Sequence, residues 1–476
     1  MRVLMHETKP LRLTSPVLAA LAAILAGCSV APAYQVPSTP QTASFKELAG
    51  WVPAAPSDAL ERGPWWQLFK DPILNELANG IEVSNQNVAQ AAANYAQARA
   101  LVQQQRAALF PSVNLQLSGD RSGVRGQGAD NAYRLNLGGS WEPDVWGRLR
   151  AGVTSAQASA EATAADLASA RLSAQGELAA NYFTLRQLDV ARTLLADTIA
   201  AYERVLTITQ NRFNVGIVAR TDVLQAQTQL ANARNDELGL VRQRAQFEHA
   251  IAVLLGKAPS EFSLAPLPQW QASVPEVPVG VPSTLLQRRP DIAAAERDVA
   301  AANAEIGIAR SAYFPNIGLS ASAATGGSRV ADLFSASNAA WSFGLSAAQS
   351  LFNAGATRAS VAAAEARHQA AVARYRQTVL DAFADVEDQL SATRVLAQQQ
   401  ALRREASEAA DLVEQQILNQ YKAGQVSYTE VVQAQVTALS ARRALVQVQA
   451  DRQTVAVALI QALGGGWHAG EQPAQP

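Results

Sequence analysis

One cysteine, Cys28, and three histidines, His249, His368 and His468, are all that residues 28–476 offer to a metal ion or a thiol nucleophile. The histidines stand far apart, and no set of His, Cys, Asp and Glu meets a metal-ligand spacing. The chain has neither a G-x-S-x-G elbow nor a phosphate-binding P-loop. Gly126 and Gly128 begin a run like G-x-G-x-x-G, but Asn131 fills its last place and no strand–helix frame surrounds it. The sequence therefore nominates no catalytic, cofactor-binding or metal-ligating residue, and its acidic residues read as solvated helix faces. What remains is a pair of chain reversals, at Gly216 and Gly424.

Cys28 has a chemistry of its own. A lone cysteine cannot form an internal disulfide. Arg2, Lys9 and Arg12 precede an apolar run, Pro16 to Gly27, too short to span a bilayer. A basic start, a short apolar run and small residues at its end make an export signal over residues 1–27. Leu25-Ala26-Gly27-Cys28 resembles the lipobox of bacterial lipoproteins, in which cleavage leaves the cysteine first and acylated through its sulfur. The segment that follows, "APAYQVPSTPQTASF", is Pro- and Ser/Thr-rich and reads as an extended strap within residues 28–73. Ser29 stands where an Asp would commonly retain a lipoprotein at the inner membrane.

Losing the leader removes three basic residues and one acidic one, which leaves a net charge of −3. Neither sign dominates, so no nucleic-acid footprint is present. No later apolar run approaches the ~20 residues of a membrane helix. A membrane crossing would therefore need a closed β-barrel, the other structure that satisfies its backbone in lipid.

The elements that must hold these residues come in two copies, shifted by about 204–208 residues. "RAALFPSVNLQLSG" at Arg106 returns as "RSAYFPNIGLSASA" at Arg310, and "RFNVGIVARTDVLQAQTQLANAR" at Arg212 returns as "QYKAGQVSYTEVVQAQVTALSAR" at Gln420. The first repeat spans 74–256, with strands near 112–121 and 132–142 and helices near 83–109, 148–215 and 220–256. A linker covers 257–282. The second repeat spans 283–464, with strands near 316–324 and 339–350 and helices near 291–313, 356–422 and 427–463. Residues 465–476 form a tail.

From Arg148 to Asn214 there is no proline, which predicts a helix of about 100 Å. Leu188, Leu195, Ile199, Tyr202, Leu206, Thr209 and Phe213 form a seam with a period near 3.5, so the helices pair as antiparallel coiled-coil hairpins. The strands alternate. Val113, Leu115 and Leu117 face one way while Asn114, Gln116 and Ser118 face the other, and Trp341, Phe343 and Leu345 alternate with Ser342, Gly344 and Ser346. That pattern suits a lipid-spanning barrel with a wet lumen, and Trp141 and Trp341 sit where interfacial aromatics belong. Four strands cannot close, and lipid forbids an open edge. Two copies would give eight strands and three would give twelve.

The whole chain after Cys28 resembles the TolC family of outer-membrane efflux channels, in its lipoprotein branch. "WWQLFKDPILNEL" at Trp65, "VPVGVPSTLLQRRPDIAAAE" at Val277, and the corners Phe110-Pro111 and Phe314-Pro315 carry the likeness. The resemblance implies a mainly α fold with β: two structural repeats per protomer, closing as a homotrimer into a 12-stranded barrel continuous with a 12-helix periplasmic barrel. It implies the exit duct of a tripartite efflux pump in a Gram-negative outer membrane. The partners would be a periplasmic adaptor, an inner-membrane pump of the resistance-nodulation-division class and outer-membrane lipid. A type I protein-secretion duct and a pore-less periplasmic coiled-coil adaptor stand as alternatives.

The family keeps the periplasmic end shut by contacts between the two hairpins and by acidic rings. On that likeness Thr221 and Asp222 match first-hairpin lock positions and Tyr421 the second-hairpin tyrosine. Thr221 would then pair with Tyr421, and Asp222 with a base such as Arg220 of a neighbour. Glu430 matches one ring position. Gly216, Ile217, Gly424 and Gln425 would be the adaptor-docking tips. Val426 stands where the lock carries Arg, and Gln433 where Asp completes the ring. Asp222 and Glu430 equally suit helix capping and first-turn charge.

Overall fold

The structure is a computed structural model and describes residues 30–39, 64–124, 128–271, 273–275 and 289–465. Cys28, the leader, residues 276–288 (the end of the linker and the start of the second repeat) and the tail from 466 lie outside the described residues. Eleven longer elements follow in chain order: α1 (Pro72–Ser84), α2 (Gln86–Ala107), β1 (Ser112–Gly123), β2 (Ala129–Trp141), α3 (Arg148–Asn214), α4 (Arg220–Leu254), α5 (Pro290–Ser311), β3 (Asn316–Gly327), β4 (Ala339–Ala348), α6 (Ala356–Lys422) and α7 (Tyr428–Ala462). The duplication is visible in the lengths: α2 and α5 have 22 residues, α3 and α6 have 67, and α4 and α7 have 35.

The chain divides into two compact units, and neither is a sequence repeat. The first takes Met1–Ser38, Tyr95–Thr163 and Ala295–Tyr375; the second takes Thr39–Asn94, Ala164–Ala294 and Arg376–Pro476. Each draws on both repeats; in the first, β2 of one repeat pairs antiparallel with β3 of the other, from Tyr133 opposite Gly327 to Trp141 opposite Leu319.

In the first unit the four strands form one sheet in chain order, β1-β2-β3-β4. Every pair is antiparallel. Register puts Leu117 beside Leu135, Leu135 beside Thr325, and Leu319 beside Leu345 on one face. Val113, Leu115 and Leu117 are each 68% exposed and Trp341 is 83% exposed, so this apolar face lacks cover within the chain. The other face is small and polar, with Ser112 and Ser140 hydroxyls 2.9 Å apart and Ser322 and Ser342 hydroxyls 2.8 Å apart. Trp141 and Trp341 lie toward opposite ends of the strands. Trp141 donates from its indole to the Leu109 carbonyl at 2.9 Å.

The Phe-Pro corner of the second copy is packed tightly. Trp146 stacks on Phe314 with centroids 4.8 Å apart and donates to the Pro315 carbonyl at 2.8 Å. The strap bears on α5: Asn303 donates to the Pro32 carbonyl at 2.9 Å, and the Tyr34 hydroxyl donates to the buried Glu296 carboxylate. Burial, then that hydrogen bond, pushes the Tyr34 phenol above its ordinary range. Gly307 makes the close approach possible, because a Cβ there would stand 2.4 Å from the Cβ of Ala31.

In the second unit one expectation is corrected. The segment to residue 73 is not extended throughout: Trp65–Phe69 forms a 3-10 turn whose rings Trp65, Trp66 and Phe69 are buried. The helix expected near 83–109 is α2, and a further helix, α1, precedes it. Asp71 caps α1 through the Ile73 and Leu74 amides, with Pro72 at the first helical position. Asn85 ends α1 in an extended conformation, caps α2 through the Asn87 and Val88 amides, and donates to the Leu254 carbonyl at 2.7 Å. One buried amide side chain thus ends α1 and starts α2.

The acidic residues are not all solvated faces either. Asp189 is buried, accepting from Arg244 at 2.6 Å, Arg186 at 3.0 Å and the Leu267 amide at 3.0 Å. Arg186 also donates to the Ala265 carbonyl at 2.8 Å, and Arg244 to Leu264 at 2.6 Å. These bonds clamp the start of the linker onto α3 and α4. Beside them Tyr182 donates to Asp71 at 2.7 Å under a core of Phe69, Leu178, Phe183 and Ile251.

The seam is occupied as its period requires, with Leu195, Ile199 and Tyr202 packing on Leu230 and Ala233 of α4. It ends before Phe213, which is exposed. Among the described residues no helix is long and apolar enough to cross a membrane.

Candidate functional site: the helix-hairpin turns

Two turns of one design reverse the long helices. After α3, Gly216 takes φ +77° and the Ile217 amide donates back to the Arg212 carbonyl at 2.8 Å. After α6, Gly424 takes φ +78° and the Gln425 amide donates to Gln420 at 2.9 Å. This is the helix end that favours glycine at the left-handed position. Gly216, Ile217, Gly424 and Gln425 are all exposed at these tips. The return helix α7 begins with a capping box, Ser427 with Glu430.

Tyr421 is the centre of the site. It is buried among Val205, Ala226, Tyr428 and Val431. Its hydroxyl lies 3.1 Å from the Thr209 hydroxyl. Thr209 already donates to the Val205 carbonyl at 2.9 Å, so the Tyr421 phenol is the donor in this pair. Arg212 donates to the Tyr421 carbonyl at 2.6 Å and holds its guanidinium 4.6 Å over the same ring. The Tyr428 ring packs 5.6 Å away at 59°. Burial, and then the neighbouring Tyr421, hold the Tyr428 phenol above its ordinary range. The folded state thus keeps Tyr428 neutral. Its contribution is full below the ordinary phenol value of 10.0 and is lost only as pH rises beyond it.

Within one chain this differs from the pairing expected above. Thr221 is exposed and donates to Asp222 at 3.5 Å, while the Tyr421 hydroxyl goes to Thr209. Arg220 is exposed, Asp222 sits in the first turn of α4, and Gln433 is exposed on α7. Val426 is an apolar neighbour of the Tyr421 cluster, and the cation comes instead from Arg212.

Arg212, Thr209 and Tyr428 were missed by sequence reasoning, yet a signal existed. In the register of the repeat, Arg212 faces Gln420 and Thr209 faces Ile417. At Thr209 one copy is polar where the other is apolar, and at Arg212 one copy is charged where the other is neutral, which is what an asymmetric contact between the two hairpins requires.

The profile of the outer membrane efflux protein family matches residues 77–257 and 281–465, well over half the sequence. The chain belongs to that family. Among curated relatives it is 34% identical over 461 residues to the antibiotic efflux pump outer membrane protein ArpC of Pseudomonas putida, covering 95% of each chain. It is 33% identical over 461 residues, with the same coverage, to the toluene efflux pump outer membrane protein TtgC of the same species. Among solved structures the outer-membrane channel OprN superposes with a TM-score of 0.83 at 30% identity, over 92% of this chain and all of that one. Each matched stretch of this efflux protein contains one strand pair and one hairpin turn, Gly216 in the first and Gly424 in the second.

Proposed function

We propose that this chain is the outer-membrane exit duct of a tripartite efflux pump, a homotrimer that carries small molecules from an inner-membrane pump and its periplasmic adaptor to the exterior. One observation carries the reading. A four-stranded sheet shows an uncovered apolar face, a small polar face and two unpaired edges, β1 and β4. An edge cannot be left open in lipid, so copies must pair edge to edge, and three copies give the 12 strands that the family resemblance implies. The exposed apolar face counts against a pore-less periplasmic coiled coil. The relatives named for antibiotics and toluene favour small cargo over polypeptide. The duct performs no reaction and holds no cofactor, and the pump supplies the energy.

The hairpin tips are the adaptor-docking surface. Val215 and Ile217 beside Gly216 are exposed apolar knobs there. Asp222, Glu430 and Gln433 line the aperture between copies. The mass of the detergent-purified full chain tests the assembly: three chains in one particle is the expected result, and a monomer would contradict it.

Cys28 is the lipid attachment site and tethers the strap. Cys28→Ala should abolish labelling by radioactive palmitate while much of the protein stays in the outer-membrane fraction, because the apolar strand faces remain. A wholly soluble periplasmic variant would contradict the spanning sheet.

A further inference from the structure

Among the described residues the polar face of the sheet carries three charged side chains, Asp120, Asp130 and Arg134. Strand alternation and register place all three on the side of Asn114, Gln116 and Ser118. Asp120 pairs with Ala132, and Asp130 with Ser122, both toward the outer ends of the strands. Arg134 lies deeper. It stands between Ser118 on β1 and Gly326 on β3, neither of which brings a counter-charge. The Arg134 stem lies along Gly326, since a Cβ built at that glycine would meet the Arg134 Cγ at 3.4 Å. From this level to the strand feet the face carries only Ser, Asn, Gln, Gly and Ala.

We propose that Arg134 sets an anion preference in the β part of the duct. The inference rests on the exit-duct reading, in which the polar face lines water and threefold repetition turns Arg134 into a ring of three guanidinium groups. Arginine keeps its charge at any working pH. A ring of one sign inside a low-dielectric wall concentrates counter-ions, and the planar guanidinium fork matches carboxylates and phosphates. Solutes bearing those groups are drawn into the lumen at this level. Cationic solutes meet their barrier here, after passing the acidic Asp120 and Asp130 if they come from outside.

The test uses a reporter thiol next to Arg134 and approached from the exterior, so that the periplasmic aperture has no influence. Full-length protein carrying Ser118→Cys is reconstituted in liposomes and exposed to an anionic and a cationic methanethiosulfonate of similar size. Protein with Cys28 alone supplies the background. The ratio of anionic to cationic modification rates should fall at least ~3-fold on adding Arg134→Gln. It should hold with Arg134→Lys and rise with Asp120→Asn. An unchanged ratio in Arg134→Gln, with the thiol still reactive, would overturn the inference and leave the duct standing. An unreactive Ser118→Cys beside a reactive Leu117→Cys would overturn the duct reading itself, and this inference with it.

Discussion

Alanine in place of Asp189 is expected to destabilise the protein by about 3–5 kcal/mol, because removing one partner of a buried ion pair strands the other. Here it strands Arg186, while Arg244 keeps its pair with Glu248 at 3.2 Å. The Arg186 side chain is 1% exposed and that of Arg244 is 9% exposed, and both point at this carboxylate. The Leu267 amide loses its acceptor as well. Arg186 and Arg244 keep their bonds to the Ala265 and Leu264 carbonyls, so the linker start stays tethered, but beside a buried Arg186 charge left uncompensated. Thermal unfolding followed by circular dichroism should show a midpoint lowered by ~3–5 °C. Glu203→Ala, which breaks an exposed pair with Arg234, is the control and should change stability by less than ~1 kcal/mol. Equal effects from the two variants would show that the buried cluster does not hold the linker.

Arg212→Ala combined with Tyr421→Phe is expected to loosen the periplasmic end, and Thr221→Ala to leave it closed. Arg212 contributes a charge-assisted bond to the Tyr421 carbonyl and a cation–π contact to its ring. Each is worth roughly 1 kcal/mol net. Tyr421→Phe removes the bond to Thr209, whose own hydroxyl remains satisfied by Val205. Three copies repeat every loss, so the double variant removes nine contacts from the assembled trimer. Cells making it without a pump should become several-fold more sensitive to a large hydrophilic antibiotic that the outer membrane normally excludes. Sensitisation by Thr221→Ala but not by the double variant would restore the pairing first expected from the family likeness.

How far the sequence carried the structure depends on the range of the interaction. The repeats, the strand alternation and the glycine turns are local patterns, so they could be read directly: Gly216 and Gly424 stand where a left-handed residue ends each long helix. Asn85 could not be read that way. Its side chain caps α2 and also binds the Leu254 carbonyl, 169 residues away. Asp189 looked like any surface acid because its partner Arg244 comes from another helix and its third bond from the linker. At the turns Tyr421 was singled out, but its neighbours depend on how two hairpins meet. That left Thr209 and Arg212 hidden in a seam and a last turn.

The central claim is that copies of this sheet close around water. Single-channel recording of the full-length protein in a planar bilayer tests it most directly. Discrete conductance steps are expected from the wild type, and larger ones from the Arg212→Ala, Tyr421→Phe variant. Silence from both proteins, inserted and intact, would contradict the account and favour a pore-less coiled-coil protein.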